Sequence, residues 1–171
     1  MRIRPALPED AKSIAEVHVA AWQAAYRGLM PDAYLDELTV EKRTAVWQRS
    51  LALPSPGTVV VAETKDSLAG FCLFGPTRDE DGKNKSAGEI LAINIRPDCW
   101  RNGFGRALCD LALGEAPRRG WVLVTLWVLN GNQRARRFYE SLGFSLDGTD
   151  RIDTKLIGAP LHELRYRKEV V

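Results

Sequence analysis

The chain has 171 residues, 45% hydrophobic and 27% charged, which predicts one domain over residues 1–171 with a sizeable core. Its net charge of +2 and its scattered arginines argue against a nucleic-acid surface. No apolar run approaches a membrane span, Met1-Arg-Ile-Arg-Pro5 lacks a signal-peptide core, and three cysteines without Cys-x-x-Cys spacing disfavour a disulfide framework or a zinc site; a cytoplasmic chain without metal is expected.

A short strand around Ile3 ends at Pro5, and Pro8 suits the first turn of a helix. Ile14, Val17, Ala21, Trp22 and Ala25 recur at three- and four-residue spacing, predicting an amphipathic helix of about fifteen residues ended by Gly28 and Pro31. Residues 31–38 read as a short helical piece, and Thr39 can cap a helix carrying Val40, Trp47 and Leu51. After the break Pro54-Ser-Pro-Gly57, Thr58–Thr64 and Leu68–Phe74 read as a hairpin turning at Lys65-Asp-Ser67. Residues 77–86 form a polar, solvated and mobile loop. Further along come a strand over Glu89–Ile95, a helix over 104–114, a strand over Val122–Val128 and a helix over Asn132–Leu142 stopped by Gly143. Two more strands fit near 144–151 and 160–168. The order β-α-α-β-β-β-α-β-α-β-β implies an α/β fold: a mixed sheet of six or seven strands with helices on both faces.

The most informative stretch is Ile93-Asn-Ile-Arg-Pro-Asp-Cys-Trp-Arg-Asn-Gly-Phe-Gly-Arg-Ala-Leu108. A β-branched run breaks at Pro97, and a loop with Arg101, Gly103, Gly105 and Arg106 leads into a helix. This arrangement points backbone N–H groups at one anion, and two glycines allow close approach. A Walker loop is excluded because Arg106-Ala107 follows Gly105; a dinucleotide fingerprint is excluded because Leu108 stands where its third glycine belongs. An ordinary strand-to-helix turn stays open on these residues alone. Cys99 flanks the loop, a more exposed setting than those of Cys72 and Cys109, which read as core.

A second motif accompanies the loop. Asn132-Gln-Arg-Ala-Arg-Arg-Phe-Tyr-Glu-Ser-Leu-Gly-Phe144 resembles the Asn-x-x-Ala-x-x-Phe/Leu-Tyr-x-x-x-Gly-Phe helix of the GNAT superfamily of acyl-CoA-dependent N-acyltransferases. The glycine loop is similar to that family's Gln/Arg-x-x-Gly-x-Gly/Ala pyrophosphate motif, and the element order resembles its fold over essentially the whole chain. The run from His18 to Pro31 resembles bacterial members as well. One departure is Trp100, three residues before Gly103, where the family usually has Gln or Arg. Arg101 or Arg106 could replace that polar group electrostatically.

The resemblance implies acetyl-CoA as co-substrate and central strands splayed where pantetheine lies, with Ile93 and Ile95 offering backbone groups. It places the pyrophosphate on Arg101, Asn102, Gly103, Gly105 and Arg106. Tyr139 lies in the stripe Ala135, Phe138, Tyr139, Leu142, which taken bare is core; the resemblance makes its phenol the acid that protonates the departing thiolate. Asn132 reads as a helix N-cap, and the resemblance adds contact with the pantetheine arm. Glu89 reads as a solvated strand-end carboxylate or, by resemblance, as the base that deprotonates the amine through water. His18, Trp22 and Tyr26 resemble an acceptor wall, with Trp22 and Tyr26 as acceptor-binding residues; Trp22 alone reads equally as core. Acceptor choice is expected to lie in the N-terminal helices and the 77–87 loop. The function expected is N-acetyl transfer to a primary amine by direct attack, with a catalytically silent acyl-CoA-binding sensor or partner domain as the alternative. Tyr139 and Glu89 favour the enzyme. A homodimer is open, and the charge balance and the lack of an apolar span predict no nucleic-acid or membrane partner.

Overall fold

A computed structural model describes residues 1–83 and 86–170 of the chain. Strands β1 (Arg2–Pro5), β2 (Thr58–Glu63), β3 (Leu68–Pro76) and β4 (Ala87–Ile95) lie side by side, each antiparallel to the next. β5 (Leu123–Leu129) runs parallel to β4, and β6 (Ser145–Asp153) and β7 (Leu161–Glu169) complete one seven-stranded sheet in the order β1-β2-β3-β4-β5-β7-β6. The chain thus returns through the sheet's centre only once in parallel, and that crossover carries the glycine loop.

Period-two alternation sorts the strand residues between two helical layers. Val60, Cys72, Phe74, Ile90, Val124 and Leu126 pack with Leu108, Cys109 and Tyr139 of helices α5 (Phe104–Glu115) and α6 (Gln133–Ser141). Val61 and Phe71 face the other way, against Ile14, Ala15 and Val17 of α1 (Ala11–Ala25) and Trp47 of α3 (Val40–Ala52). Thr39 caps α3 by accepting from the Lys42 N–H at 3.3 Å, and the short α2 (Asp32–Asp36) tucks Leu35 against Met30 and Leu161. Gly143 ends α6 at φ +84°, a left-handed turn that side chains disfavour.

The predicted mobile loop at 77–86 needs correcting in its described part. Thr77 is buried, Glu80–Lys83 form a helical turn, α4, and Asp79 accepts from the Trp127 indole and from Arg165. Arg165 is held by Asp79, Asp81 and Asp147 together, which pins the segment to β7. Asn84 and Lys85 of that expectation lie outside the described residues. Cys99 is also buried, contrary to its expected exposure, because it closes a 3-10 turn over Pro97–Cys99.

Candidate active site

β4 and β5 hold each other through only four pairs, from Ala87↔Leu123 to Ile90↔Leu126. β4 then runs on to Ile95 and β5 to Leu129 without further pairing between them. The separation has a local cause. β3 pairs Phe74 with Ile90 and Leu73 with Ala92, so Leu91 is an extra residue that bulges and bends β4. Past the bulge one edge of β4 stays on β3, through Ile93↔Cys72 and Ile95↔Gly70, and the other edge faces the gap. A cleft of about 750 Å³ fills this gap and is bordered by Ile93, Ile95, Val128, Leu129 and the first turns of α5 and α6.

The loop between β4 and α5 is built by backbone conformation. Arg101 sits at φ +63° and Gly103 at φ +83°, and Gly103 is the N-cap of α5, its carbonyl accepting from the Ala107 N–H at 3.0 Å. The N–H groups of Phe104, Gly105 and Arg106 precede that first helical bond and have no partner within the helix. A Cβ at Gly103 would meet nothing nearer than the Met1 Cε at 3.9 Å, so the protein leaves the space over this residue open. At Gly105 a Cβ would press the Phe138 ring at 3.3 Å, so this glycine serves the contact between α5 and α6 as well as the cleft.

Asn132 caps α6, its Oδ1 accepting from the Ala135 N–H at 3.1 Å. The amide nitrogen is left for the cleft, which Asn132 lines. Tyr139, one helical face along, is 8% exposed and stacks edge-on to Phe138 and Phe144. Burial among these rings and Cys109 raises its phenol well above the ordinary range, so it is a neutral donor at physiological pH. No protein group among the described residues hydrogen-bonds its hydroxyl. The sole fully sealed side-chain polar atom without a partner among them is His18 Nε2, so the Tyr139 hydroxyl stays open to the cleft.

The cleft is electrostatically one-sided. Arg101, Arg106 and Arg134 line it, and among the described residues no carboxylate does. Neither α5 nor α6 carries an acidic residue in its first turn, so both positive helix ends meet the cleft uncompensated. Such a site suits a polyanion.

The structure brings together most of the expected residues, namely Ile93, Ile95, Arg101, Gly103, Gly105, Arg106, Asn132, Tyr139 and Tyr26. It corrects three. Asn102 is exposed and points no side chain into the lining, because the left-handed turns on either side of it swing it outward. Trp22 lies behind Tyr26 at 5.1 Å between ring centres, packed with His18 and under Arg43. Glu89 is 1% exposed and absent from the cleft wall; its Oε2 accepts from the Arg78 backbone N–H at 2.9 Å and its Oε1 from the Arg78 guanidinium at 2.6 Å. Both oxygens of Glu89 are thus engaged by Arg78. Arg134 and Trp127 were missed from sequence. Trp127 reads as an apolar strand residue, and Arg134 carried one signal, a cation in the first turn of a helix.

Both the sequence and the fold have counterparts among known proteins. The model of the acetyltransferase (GNAT) family matches residues 16–144. The chain is 34% identical over 131 residues to YuaI, an uncharacterized N-acetyltransferase of Bacillus subtilis, covering 76% of this chain and 72% of that protein. Its fold is similar to that of the PaiA N-acetyltransferase of Thermoplasma acidophilum, solved with coenzyme A, at TM-score 0.74 and 21% identity over 98% of both chains. It is similar also to yncA of Salmonella typhimurium, solved with its cofactor acetyl-CoA, at TM-score 0.72 and 23% identity, over 100% of this chain and 94% of that one. By the extent of the family match and the identity to its relatives, the chain belongs to the acetyltransferase (GNAT) family.

Proposed function

We propose that this protein transfers the acetyl group of acetyl-CoA to a primary amine by direct attack in a ternary complex. The observation that carries the reading is the cleft between β4 and β5, lined by three arginines and no carboxylate, with the Tyr139 hydroxyl opening into it. Acetyl-CoA joins a polyanionic nucleotide end to a thin, amide-bearing arm, and the cleft offers a counterpart to each. The N–H groups of Phe104, Gly105 and Arg106 take the diphosphate. The free edge of β4 at Ile93 and Ile95 takes the amides of the arm as an added strand would.

The residues then divide the chemistry. Backbone N–H groups of β4 polarise the thioester carbonyl. The amine nitrogen forms its bond to the carbonyl carbon as the carbon–sulfur bond breaks, Tyr139 gives its proton to the leaving thiolate, and the proton shed by the new amide nitrogen passes through water to restore the phenol. Asn132, fixed as a cap by its oxygen, offers its amide nitrogen to the arm beside the sulfur. Tyr26, which burial and the charge of Glu163 keep neutral by raising its phenol, stands with Trp127 on the acceptor side. The nitrogen must arrive with a lone pair, so the attacking species is the free amine.

The test has two arms. CoA should raise the melting temperature while NAD and ATP leave it unchanged, and a mixed panel of amines should release thiol from acetyl-CoA. Tyr139→Phe should lower kcat by roughly 10²- to 10⁴-fold with CoA affinity intact. A CoA shift without thiol release from any amine would point instead to an acyl-CoA-binding domain without catalysis.

A further inference from the structure

Arg134 is the second residue of α6, and its guanidinium carbon lies 3.5 Å from the ring centre of Trp100. Trp100 is itself fixed: its indole N–H donates to the Ile95 carbonyl at 2.8 Å and its backbone N–H to the Pro97 carbonyl at 3.2 Å. Both residues line the cleft. Other arginines of this chain stack on aromatic rings too, but each has a second hold. Arg151 binds Glu163, Arg165 binds three aspartates, Arg119 donates to Thr58 and Arg43 to Tyr34. Among the described residues, Arg134 is the one stacked arginine with neither an ion pair nor a hydrogen bond.

Its position is a poor one for a cation in the folded protein alone. The N-terminus of α6 repels positive charge, no acidic residue stands in that first turn, and Arg101 adds a second repulsion. Burial chiefly, and the charge of Arg101 after it, pull the Arg134 guanidinium below its ordinary range. A cation–π contact at a partly exposed site offsets only a small part of that cost. A guanidinium held by its face still presents its N–H donors along its plane. An anion between Arg134 and the amide groups at the start of α5 would satisfy both.

We propose that Arg134, braced on Trp100, grips the diphosphate bridge of the cofactor from the side opposite the glycine loop. The inference rests on the CoA reading above and adds a diphosphate-binding residue to it. In this chain a tryptophan and an arginine from two separate elements form one recognition unit, the ring setting the plane and the guanidinium supplying the charge.

Calorimetric titration of CoA and of 3′-dephospho-CoA, which keeps the diphosphate, tests this on the whole chain. Arg134→Gln should weaken both ligands by the same factor, roughly 10- to 100-fold, as expected for a lost charge-assisted contact. Trp100→Leu should weaken both by roughly two- to fivefold, and Trp100→Phe, which keeps an aromatic face, should bind close to wild type. The double variant Trp100→Leu, Arg134→Gln should bind no worse than Arg134→Gln alone. Without ligand, Arg134→Gln should melt at or above the wild-type temperature, since it removes a repelled cation; a purely structural role predicts the reverse. Loss confined to CoA would assign Arg134 to the 3′-phosphate and overturn the proposal, as would unchanged affinity for both ligands. Wild-type protein that binds neither ligand would overturn the CoA reading itself.

Discussion

Glu89 of β4 is engaged by Arg78, and that pairing bears on the proposed transfer to an amine. The carboxylate is buried with both oxygens engaged, while the Arg78 side chain is 61% exposed. Glu89→Gln keeps the volume but sets an amide N–H₂ against a guanidinium, so a buried acceptor is lost. With one partner in solvent, the cost should be about 1–3 kcal/mol, read by urea unfolding. With a strongly basic amine, kcat/KM should rise with pH in parallel in wild type and variant, following the free amine. A limb of the wild-type profile that vanishes in the variant would instead make Glu89 the base. At this scale the sequence was legible where a residue fixes the local backbone, as at the turn of Gly103 and the cap of Asn132. It was not legible where a side chain's direction decides: Trp22 and Tyr26 are one turn apart on the same helix, and only Tyr26 reaches the cleft. Trp100 reads in the sequence as a lost polar group; with Arg134 stacked on it, the position is aromatic support for a cation supplied by α6.

Strand and helix positions followed from periodicity and punctuation, because Pro5, Gly28, Thr39 and Gly143 act through φ, a missing N–H or a cap that each residue carries with it. The bulge at Leu91 was not readable, since it depends on which residues of β3 and β4 find each other. Nor was the pinning of the 77–83 segment, whose polar composition reads as a loop until Arg165 arrives from a strand 84 residues beyond Asp81. The turn into α5 permits a clean separation of folding from binding. Gly103→Ala meets no protein atom within 3.9 Å but must hold φ near +83°, so it should cost roughly 1–2 kcal/mol of stability. Gly28→Ala has a similar φ of +78° and open space around it, outside the cleft lining, and should cost about the same. CoA should still raise the melting temperature of Gly28→Ala and should fail to raise that of Gly103→Ala. Equal CoA shifts in the two variants would mean that close approach at Gly103 is not used.

Across the whole molecule the splayed sheet puts its opening between two separate cores, so the wall of the cleft depends on both layers. α1 and the Tyr26 that ends it supply Ala21, Ala25 and Tyr26 to that wall, and α1 rests on α3 and β3 through a cluster around His18. The Trp47 indole donates to His18 Nδ1 at 3.3 Å, so the imidazole is held neutral with its proton on the buried, unpartnered Nε2. A second proton would have to displace the Trp47 N–H and would add charge beside Arg43 in an apolar setting. Burial first, and Arg43 second, lower the His18 pKa to about 3. The unfolded chain takes up this proton near pH 6.5 and the folded chain does not, so the unfolded state binds more protons and stability falls as pH falls. The slope should approach roughly 1.4 kcal/mol per pH unit between about pH 6 and 4.5. Asp10 and Asp153, whose carboxylates hydrogen bonds hold below their ordinary range, contribute stability that is lost only under more acid conditions, below the carboxylate pKa of the unfolded chain. Urea unfolding at half-unit intervals from pH 7 to 4.5 should show this slope in wild type and a much flatter line in His18→Phe, which keeps an aromatic ring but cannot be protonated. A wild-type stability that stays level over that range would mean that His18 takes its proton in the folded state, and that the packing of α1 against α3 yields to admit it.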